Sequence, residues 1–527
     1  RENSQTVMCG IAGMLNWSGE PASPQLLAAM LGALAHRGPD DEGRHLDGPL
    51  ALGHRRLSII DVAGGKQPRT NEDGSLVLVM NGEIYNYREL RAQTLARGHR
   101  YRTRSDAEVI LHLYEEAGAD CLQRLNGMFA FALWDGPRER LWLARDRAGE
   151  KPLYYTQGAG AFVFASELKG LLAHPGVERE LDPHALASYL TNGFVPAPQT
   201  VLRGVHKLPP ATSAIVERGQ VTLRPYWRLP FPEGEDVRRD GRSVVAEFRQ
   251  RLTQAVTRRL VADVPVGVFL SGGLDSSSLV AVLAQAGVSP IRTFSLGIGA
   301  PSFDERPFAQ AVAQRFGTQH QAWRIAHQEL LDVIPRLGRL IDEPMADASI
   351  VPTHLLAAFT RSQVKVILGG DGGDELLGGY PTYRAHELAQ QYRCLPRWLR
   401  QRVIAPAIQR LPVSCRYLST EFRLKRFVAG AEEASPPLRH ARWMGLASSH
   451  QTRDLLHPDW SGALDLASLA RPYESHWDHV DVVTGAMRCD FHLYLQELVL
   501  MKVDRASMAA SLEVRAPFLD VELMEWL

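Results

Sequence analysis

Two rhythms of apolar positions divide this chain. From Ile11 to about Trp227, apolar and polar residues alternate in short runs broken by Gly, Pro and Asn: LVLVMNGEIYNY (Leu76 to Tyr87), GMFAFALWD (Gly127 to Asp135) and LWLARDRAG (Leu141 to Gly149). A period of two in runs this short predicts hairpin-rich antiparallel sheet. The stretch RPYWRLPFPEGEDVRRDGR that follows has no usable apolar period, and its Pro, Gly and mixed charge mark a linker, placed at 226–243. Beyond it, strand-like VGVFL (Val266 to Leu270), TFSLGI (Thr293 to Ile298) and VKVIL (Val364 to Leu368) alternate with helix-like SSSLVAVLAQAG (Ser276 to Gly287) and ERPFAQAVAQRFG (Glu305 to Gly317). That alternation predicts a parallel sheet with helices on both faces. After about Tyr380 the pattern is mostly helical, with YRCLPRWLRQRVIAPAIQRL and FHLYLQELVLMKVDRASMAA as amphipathic stretches.

Length turns the change of rhythm into a division of domains. At 527 residues, 45% of them hydrophobic, the chain exceeds what one ordinary core organises. We expect one domain over 9–225 and a second over 244–527, with residues 1–8 as a leader or tag remnant. Lys plus Arg (59) balance Asp plus Glu (59), so no basic stripe marks a nucleic-acid binder, and small-molecule substrates are expected. The five cysteines include no C-x-x-C pair and suggest neither a disulfide framework nor a zinc site, which fits a cytoplasmic protein. No apolar run approaches the ~20 residues that span a bilayer, so no membrane partner is expected.

Candidate chemistry begins at VFLSGGLDSSS (Val268 to Ser278), where a buried-type strand gives way to a helix. Gly272 and Gly273 permit a tight turn with outward amides. The backbone at Leu270 and the hydroxyls of Ser271, Ser276 and Ser277 add to a helix N-terminus that favours anions, as a di- or triphosphate requires. Asp275 would repel such a ligand unless a hard cation such as Mg²⁺ lies between them. The alternative is a Gly-Ser loop in which Asp275 merely caps the helix. A second acidic loop, LGGDGGDELLGGY (Leu368 to Tyr380), leaves the same edge of the predicted sheet and places Gly369, Gly370, Asp371, Asp374 and Glu375 there. Two such loops point to one shared metal-nucleotide, with Asp275 and Asp374 as the metal ligands.

These loops, together with MCGIAG, HRGPD (His36 to Asp40), HRRLSIID (His54 to Asp61), NGEIYN (Asn81 to Asn86), RSDAEVI (Arg104 to Ile110), ARDRAGEKPLYY (Ala144 to Tyr155) and MKVDRASMAASLEVRAPFLD (Met501 to Asp520), resemble the glutamine-hydrolysing asparagine synthetase family from Met8 to Leu527. The resemblance implies a two-domain α/β and α+β protein. Its N-terminal half would be an αββα N-terminal-nucleophile hydrolase sandwich, and its C-terminal half a doubly wound parallel α/β domain of ATP-pyrophosphatase type. By the same resemblance Cys9 would be the glutaminase nucleophile, with its own α-amino group as base. Asn81 and the Gly82 amide would form the oxyanion hole, Arg56 would bind the glutamine carboxylate, and Glu83 and Asp106 would bind its ammonium. ATP would activate aspartate as its adenylate, and ammonia passing between the domains would attack it. Asp371 stands where the best-known members carry Glu, a carboxylate that takes a proton from that ammonia. The family pattern also continues beyond Leu527 with a helical segment carrying a basic residue, so the chain is expected to be incomplete there, and a homodimer is left open. Two rivals stay in view: an amidotransferase for another carboxylate, such as a polysaccharide or peptide precursor, and a noncatalytic metabolite-binding descendant.

Overall fold

The computed structural model describes residues 9–38, 40–57, 59–61, 64–158, 160–230, 240–462, 464–477 and 481–527. The expected leader over 1–8 and the middle of the expected linker lie outside them.

Alternating apolar residues in the first half build two six-stranded antiparallel sheets. One runs in the order Val205–Lys207, Tyr154–Gly158, Ala161–Ala165, Gly10–Asn16, Leu50–Arg56, Asp41–Asp47. The other runs Gln220–Pro225, Thr212–Glu217, Arg140–Arg145, Gly127–Asp135, Leu76–Ile84, Arg69–Thr70. Val77, Val79, Ala130 and Ala132 face Ile11, Leu15, Leu50 and Leu52 across the space between the sheets. Their sequence neighbours Leu76, Leu78, Phe129 and Phe131 point the other way, under helix Glu108–Ala117. Met14, Ala51 and Val163 of the first sheet pack outward against Leu27, Met30 and Leu31 of helix Pro24–Ala33. The result is the four-layer αββα sandwich, with a period-two strand feeding two cores at once.

The period-two rhythm marks the sheets, while the covering helices are those the αββα expectation called for. Helix Glu108–Ala117 carries Glu108, His112 and Glu115 at helical spacing, but its short apolar run Val109 to Leu111 reads equally as a strand among strand-like neighbours. LVLVMNGEIYNY likewise leaves its strand at Ile84, and helix Tyr87–Ala96 begins within it.

The second half holds a five-stranded sheet, parallel throughout, in the order Gln319–Ile325, Arg292–Ile298, Val266–Phe269, Val366–Leu368, Glu513–Arg515. Helices Gly241–Arg258, Leu274–Gln285 and Arg306–Phe316 cover one face. Helices Ile350–Arg361 and Leu500–Met508 cover the other. The chain leaves the central strand Val266–Phe269 toward one edge and later returns to its other side at Val366–Leu368. This reversal opens a crevice at the carboxyl ends of those two strands. FHLYLQELVLMKVDRASMAA is helical but not one α-helix: Asp490–Val499 winds as a π-helix and runs on into Leu500–Met508. Among the described residues no helix is long and apolar enough to cross a membrane.

Candidate active sites

The first site forms where strands from both sandwich sheets meet. Asn81 and Glu83 continue the inward series of Val77 and Val79 on strand Leu76–Ile84. Gly82 between them has φ +142°, and a Cβ there would lie 2.1 Å from the Met128 carbonyl oxygen, so only glycine fits. Cys9 precedes strand Gly10–Asn16. The Leu57 N–H donates to its Sγ at 3.5 Å, and the thiol faces the Leu57 carbonyl at 3.8 Å. Burial pushes this thiol up to about 12, with the charge of Glu83 adding to the effect and that of Arg56 opposing it. Arg56 donates to the carbonyls of Ile60 (3.3 Å) and Asp61 (2.7 Å). Burial, then the charges of Asp106 and Glu513, hold the Glu83 carboxyl well above its usual range. Asp106, also raised by burial, accepts from the Ile84 N–H at 2.8 Å. Both polar atoms of the fully buried Asn81 side chain, and Glu83 Oε2, have no hydrogen-bond partner among the described residues. Buried polar atoms without partners are costly unless something else meets them.

The second site fills the crevice of the parallel sheet, a cavity of about 440 Å³. Leu270, Ser271, Gly273, Asp275 and Ser276 line it from the first glycine loop; Gly369, Gly370, Asp371, Asp374 and Glu375 line it from the second. The loops touch, since a Cβ on Gly373 would sit 2.7 Å from the Asp275 carboxylate. Burial, then the charges of Asp374 and Asp371, pushes the Asp275 carboxyl up to about 6. Two of the expected loop residues do not line the cavity. Gly272, at φ +88°, passes beneath helix Arg306–Phe316, with Phe308 2.5 Å from where its Cβ would be. Ser277 is turned away by the pitch of its helix, and its Oγ is buried without a partner.

Sequence reasoning missed much of the remaining wall. Phe294, Leu296 and Leu356 supply an apolar face, and Lys502 enters from helix Leu500–Met508. Lys502 lies 3.0 Å from Asp347, and it is the sole cation among the described residues lining this cavity. Burial raises the Asp371 carboxyl while the Lys502 charge opposes that rise. The sequence signal for Lys502 was its place in the MKVDRASMAASLEVRAPFLD block.

Buried ion pairs join the two halves. Arg37 forks onto Asp504 at 2.7 and 2.9 Å, and its Nε donates to the Cys9 carbonyl at 3.2 Å. Lys207 pairs with Glu343 (3.0 Å) and Glu497 (2.8 Å). Alongside them lies a small cavity of about 20 Å³. Glu150 and Lys151 line it from the first half, and Asp371, Leu500, Val503, Asp504, Ser507, Val514 and Ala516 from the second. Met508, next to Ser507, packs in the apolar cluster that includes Cys9.

Comparison with known proteins bears on both halves. Residues 8–227 match the family described as glutamine amidotransferase domain, and residues 247–527 match asparagine synthase. Glutamine-hydrolysing asparagine synthetase 1 of Bacillus subtilis (strain 168) is 33% identical over 519 residues, covering 97% of this chain and 79% of the relative. Glutamine-hydrolysing asparagine synthetase 3 of the same organism is 32% identical over 551 residues, covering 98% and 80%.

Proposed function

Because this chain belongs to the glutamine-hydrolysing asparagine synthetase family, we propose that it makes asparagine from aspartate, ATP and glutamine, with ammonia released in the first half and used in the second. The observation that carries the reading is the pair of glycine-rich acidic loops meeting at the crevice of a parallel sheet, in a chain whose other half gathers Cys9, Arg56, Asn81, Glu83 and Asp106.

In the first half Cys9 attacks the glutamine amide. A thiol held near 12 is not ionised by bulk water at neutral pH, so its proton needs a base at hand, and a free α-amine on Cys9 itself supplies one. Asn81 Nδ2 and the Gly82 amide receive the charge that develops on the amide oxygen, which gives the unpartnered Asn81 a role. Arg56 meets the substrate carboxylate. Glu83 and Asp106 meet its ammonium, a cation that relieves the mutual repulsion of two buried acids.

In the second half the loop over Leu270 to Ser277, with Gly369 and Gly370, binds ATP as a substrate, and Phe294, Leu296 and Leu356 offer the base an apolar wall. The donor set fits Mg²⁺: hard carboxylate oxygens of Asp275 and Asp374 whose repulsion is visible in the raised Asp275. Bound there, Mg²⁺ would neutralise phosphate charge. Lys502 holds the acceptor acid, and Asp371 takes a proton from the incoming ammonia. The small cavity between the halves supports a closed path for that ammonia, which must arrive unprotonated. We place the reaction in the cytoplasm, in keeping with five unpaired thiols.

The test is pyrophosphate release by purified enzyme with ATP, Mg²⁺ and ammonia over a panel of carboxylic acids. Aspartate is expected to lead the panel by at least tenfold. A different acid in that place would overturn the acceptor assignment.

A further inference from the structure

On the outside of the sandwich, away from both sites, three segments converge: the turn before strand Leu76–Ile84, the chain just past helix Tyr87–Ala96, and helix Glu108–Ala117. They bring together Glu72, His99, His112 and Glu115, with one ligating atom of each within 4.8 Å of all the others. His112 Nδ1 lies 3.0 Å from Glu115 Oε2 and 3.6 Å from Glu72 Oε2, and His99 Nδ1 lies 3.2 Å from the same Glu115 oxygen. A tetrahedral ion with bonds of ~2.0–2.1 Å to nitrogen and oxygen sets its ligand atoms ~3.3–3.4 Å apart. The observed separations bracket that edge.

The surroundings are built to hold these atoms in place. The Asn71 amide donates to the other oxygen of Glu115 at 2.7 Å, and the Arg100 N–H donates to the other oxygen of Glu72 at 2.8 Å. Each carboxylate is thereby fixed and turned to offer one oxygen. His99 has a carboxylate on its far side as well: its Nε2 lies 3.3 Å from Glu116 Oε1, a buried oxygen with no hydrogen-bond partner. A carboxylate behind an imidazole is the usual way a ligating histidine is aimed. His99 thus meets carboxylate oxygen at both nitrogens, and a neutral ring carries only one proton. On one side its lone pair faces an oxygen lone pair, a conflict that a cation between them removes. Arg97 and Arg124 pair with Glu116, and no Lys or Arg ion pair reaches Glu72 or Glu115 among the described residues.

We propose that Glu72, His99, His112 and Glu115 form a structural site for a divalent cation of the zinc class. Two imidazoles with two carboxylates suit zinc or cobalt better than magnesium or calcium, which prefer oxygen alone. Four protein ligands leave no open position, so the ion pins three segments together and performs no chemistry. A cavity lined by Asn71, Ser75, Tyr114 and Glu115 gives it a way in.

The experiment uses the full chain, stripped of metal and titrated with Co²⁺ and then Zn²⁺, in a Cys9→Ala, Asp275→Asn, Asp374→Asn, Cys394→Ser, Cys415→Ser background that removes the proposed Mg²⁺ ligands and the accessible thiols. The expected result is one equivalent of Co²⁺ with an intense tetrahedral visible band, displaced by Zn²⁺, and a thermal midpoint raised by Zn²⁺. His99→Gln and Glu115→Gln, both partly exposed substitutions, are each expected to weaken binding by more than ~100-fold. In the parent background both are expected to keep ammonia-dependent activity, which reports folding. Absence of the band, or a band that survives His99→Gln in a folded protein, would overturn the site.

Discussion

At the scale of single residues, the two sites use charge in opposite ways. The first buries an acid pair, Glu83 and Asp106, and keeps the Cys9 thiol neutral; the second leaves Asp275 and Asp374 facing open space where a cation can reach them. In this chain the Cys9 nitrogen is an amide, bonded to Met8, and such an amide does not accept the thiol proton. A form retaining residues 1–8 is therefore expected to use ammonia but to hydrolyse glutamine at least ~100-fold more slowly than a form beginning at Cys9, the scale on which general bases act. Cys9→Ala should behave like the longer form. Glutamate production, with termini verified by mass spectrometry, decides it, and rapid hydrolysis by the longer form would remove the α-amine from the mechanism. Asp275 gives a pH dependence with a definite sign. Its carboxyl is raised to about 6 by burial and its acidic neighbours, so protons compete for it as pH falls toward 6. The Mg²⁺ concentration for half-maximal pyrophosphate release should about double between pH 7.5 and pH 6, and a flat requirement would detach Asp275 from the metal.

At the scale of elements, helix Leu500–Met508 joins the two chemistries, carrying Lys502 toward the crevice and Asp504 toward Arg37 and thence Cys9. Removing one partner of a buried pair leaves an uncompensated charge and costs ~3–5 kcal/mol, whereas replacing both by apolar side chains is often nearly neutral. Because Arg37 also pairs with Glu167 and Asp504 with Arg505, Arg37→Met and Asp504→Leu are each expected to lower the thermal midpoint, and the double variant to recover only part of the loss. Glutamine-dependent turnover should still fall in the double variant while ammonia-dependent turnover holds, because Cys9 has lost the guanidinium that fixes its carbonyl. The same helix marks where sequence reading runs out. GMFAFALWD coincides with strand Gly127–Asp135 because turn residues bound an apolar run. The glycine loops were readable because few roles demand Gly and Asp together at a strand end. Lys502 was not: a lone lysine on an amphipathic helix looks like a solvent-facing residue, and each extra residue in the preceding π-turns rotates the face that follows by ~100°. Strand Gln319–Ile325 escaped because most of it is solvent-accessible and polar at the sheet edge, and Glu513–Arg515 because three residues carry no period.

At the scale of the whole molecule, Cys9 lies beside the start of the parallel sheet, packed near Val266 and Val366, whereas the nucleotide loops leave the far ends of those same two strands. On the proposed assignment of the two sites, ammonia made at one end travels the length of the central strands to be used at the other. Ser507, next to Met508 beside Cys9, lines the interdomain cavity that Asp371 closes, so this gap is the natural middle of the route. Ala516 lines it from the strand Glu513–Arg515 side and is itself buried. Ala516→Leu adds three heavy atoms to a space of about 20 Å³, enough to close it, with an overpacking penalty of ~1–3 kcal/mol that a protein of this size should survive. Glutamine hydrolysis should then continue at near the parent rate, since Ala516 packs with Leu500, Leu519 and Met524, in a different apolar cluster from Cys9. Ammonia added from outside should still support amide formation, because the crevice is open to solvent. What should fail is the transfer between them: the ratio of amide product to glutamate should drop by at least tenfold, with free ammonia accumulating. A variant that keeps one product per glutamate would place the route elsewhere. One that loses ammonia-dependent synthesis as well would show that Ala516 supports the Asp371 loop rather than the path.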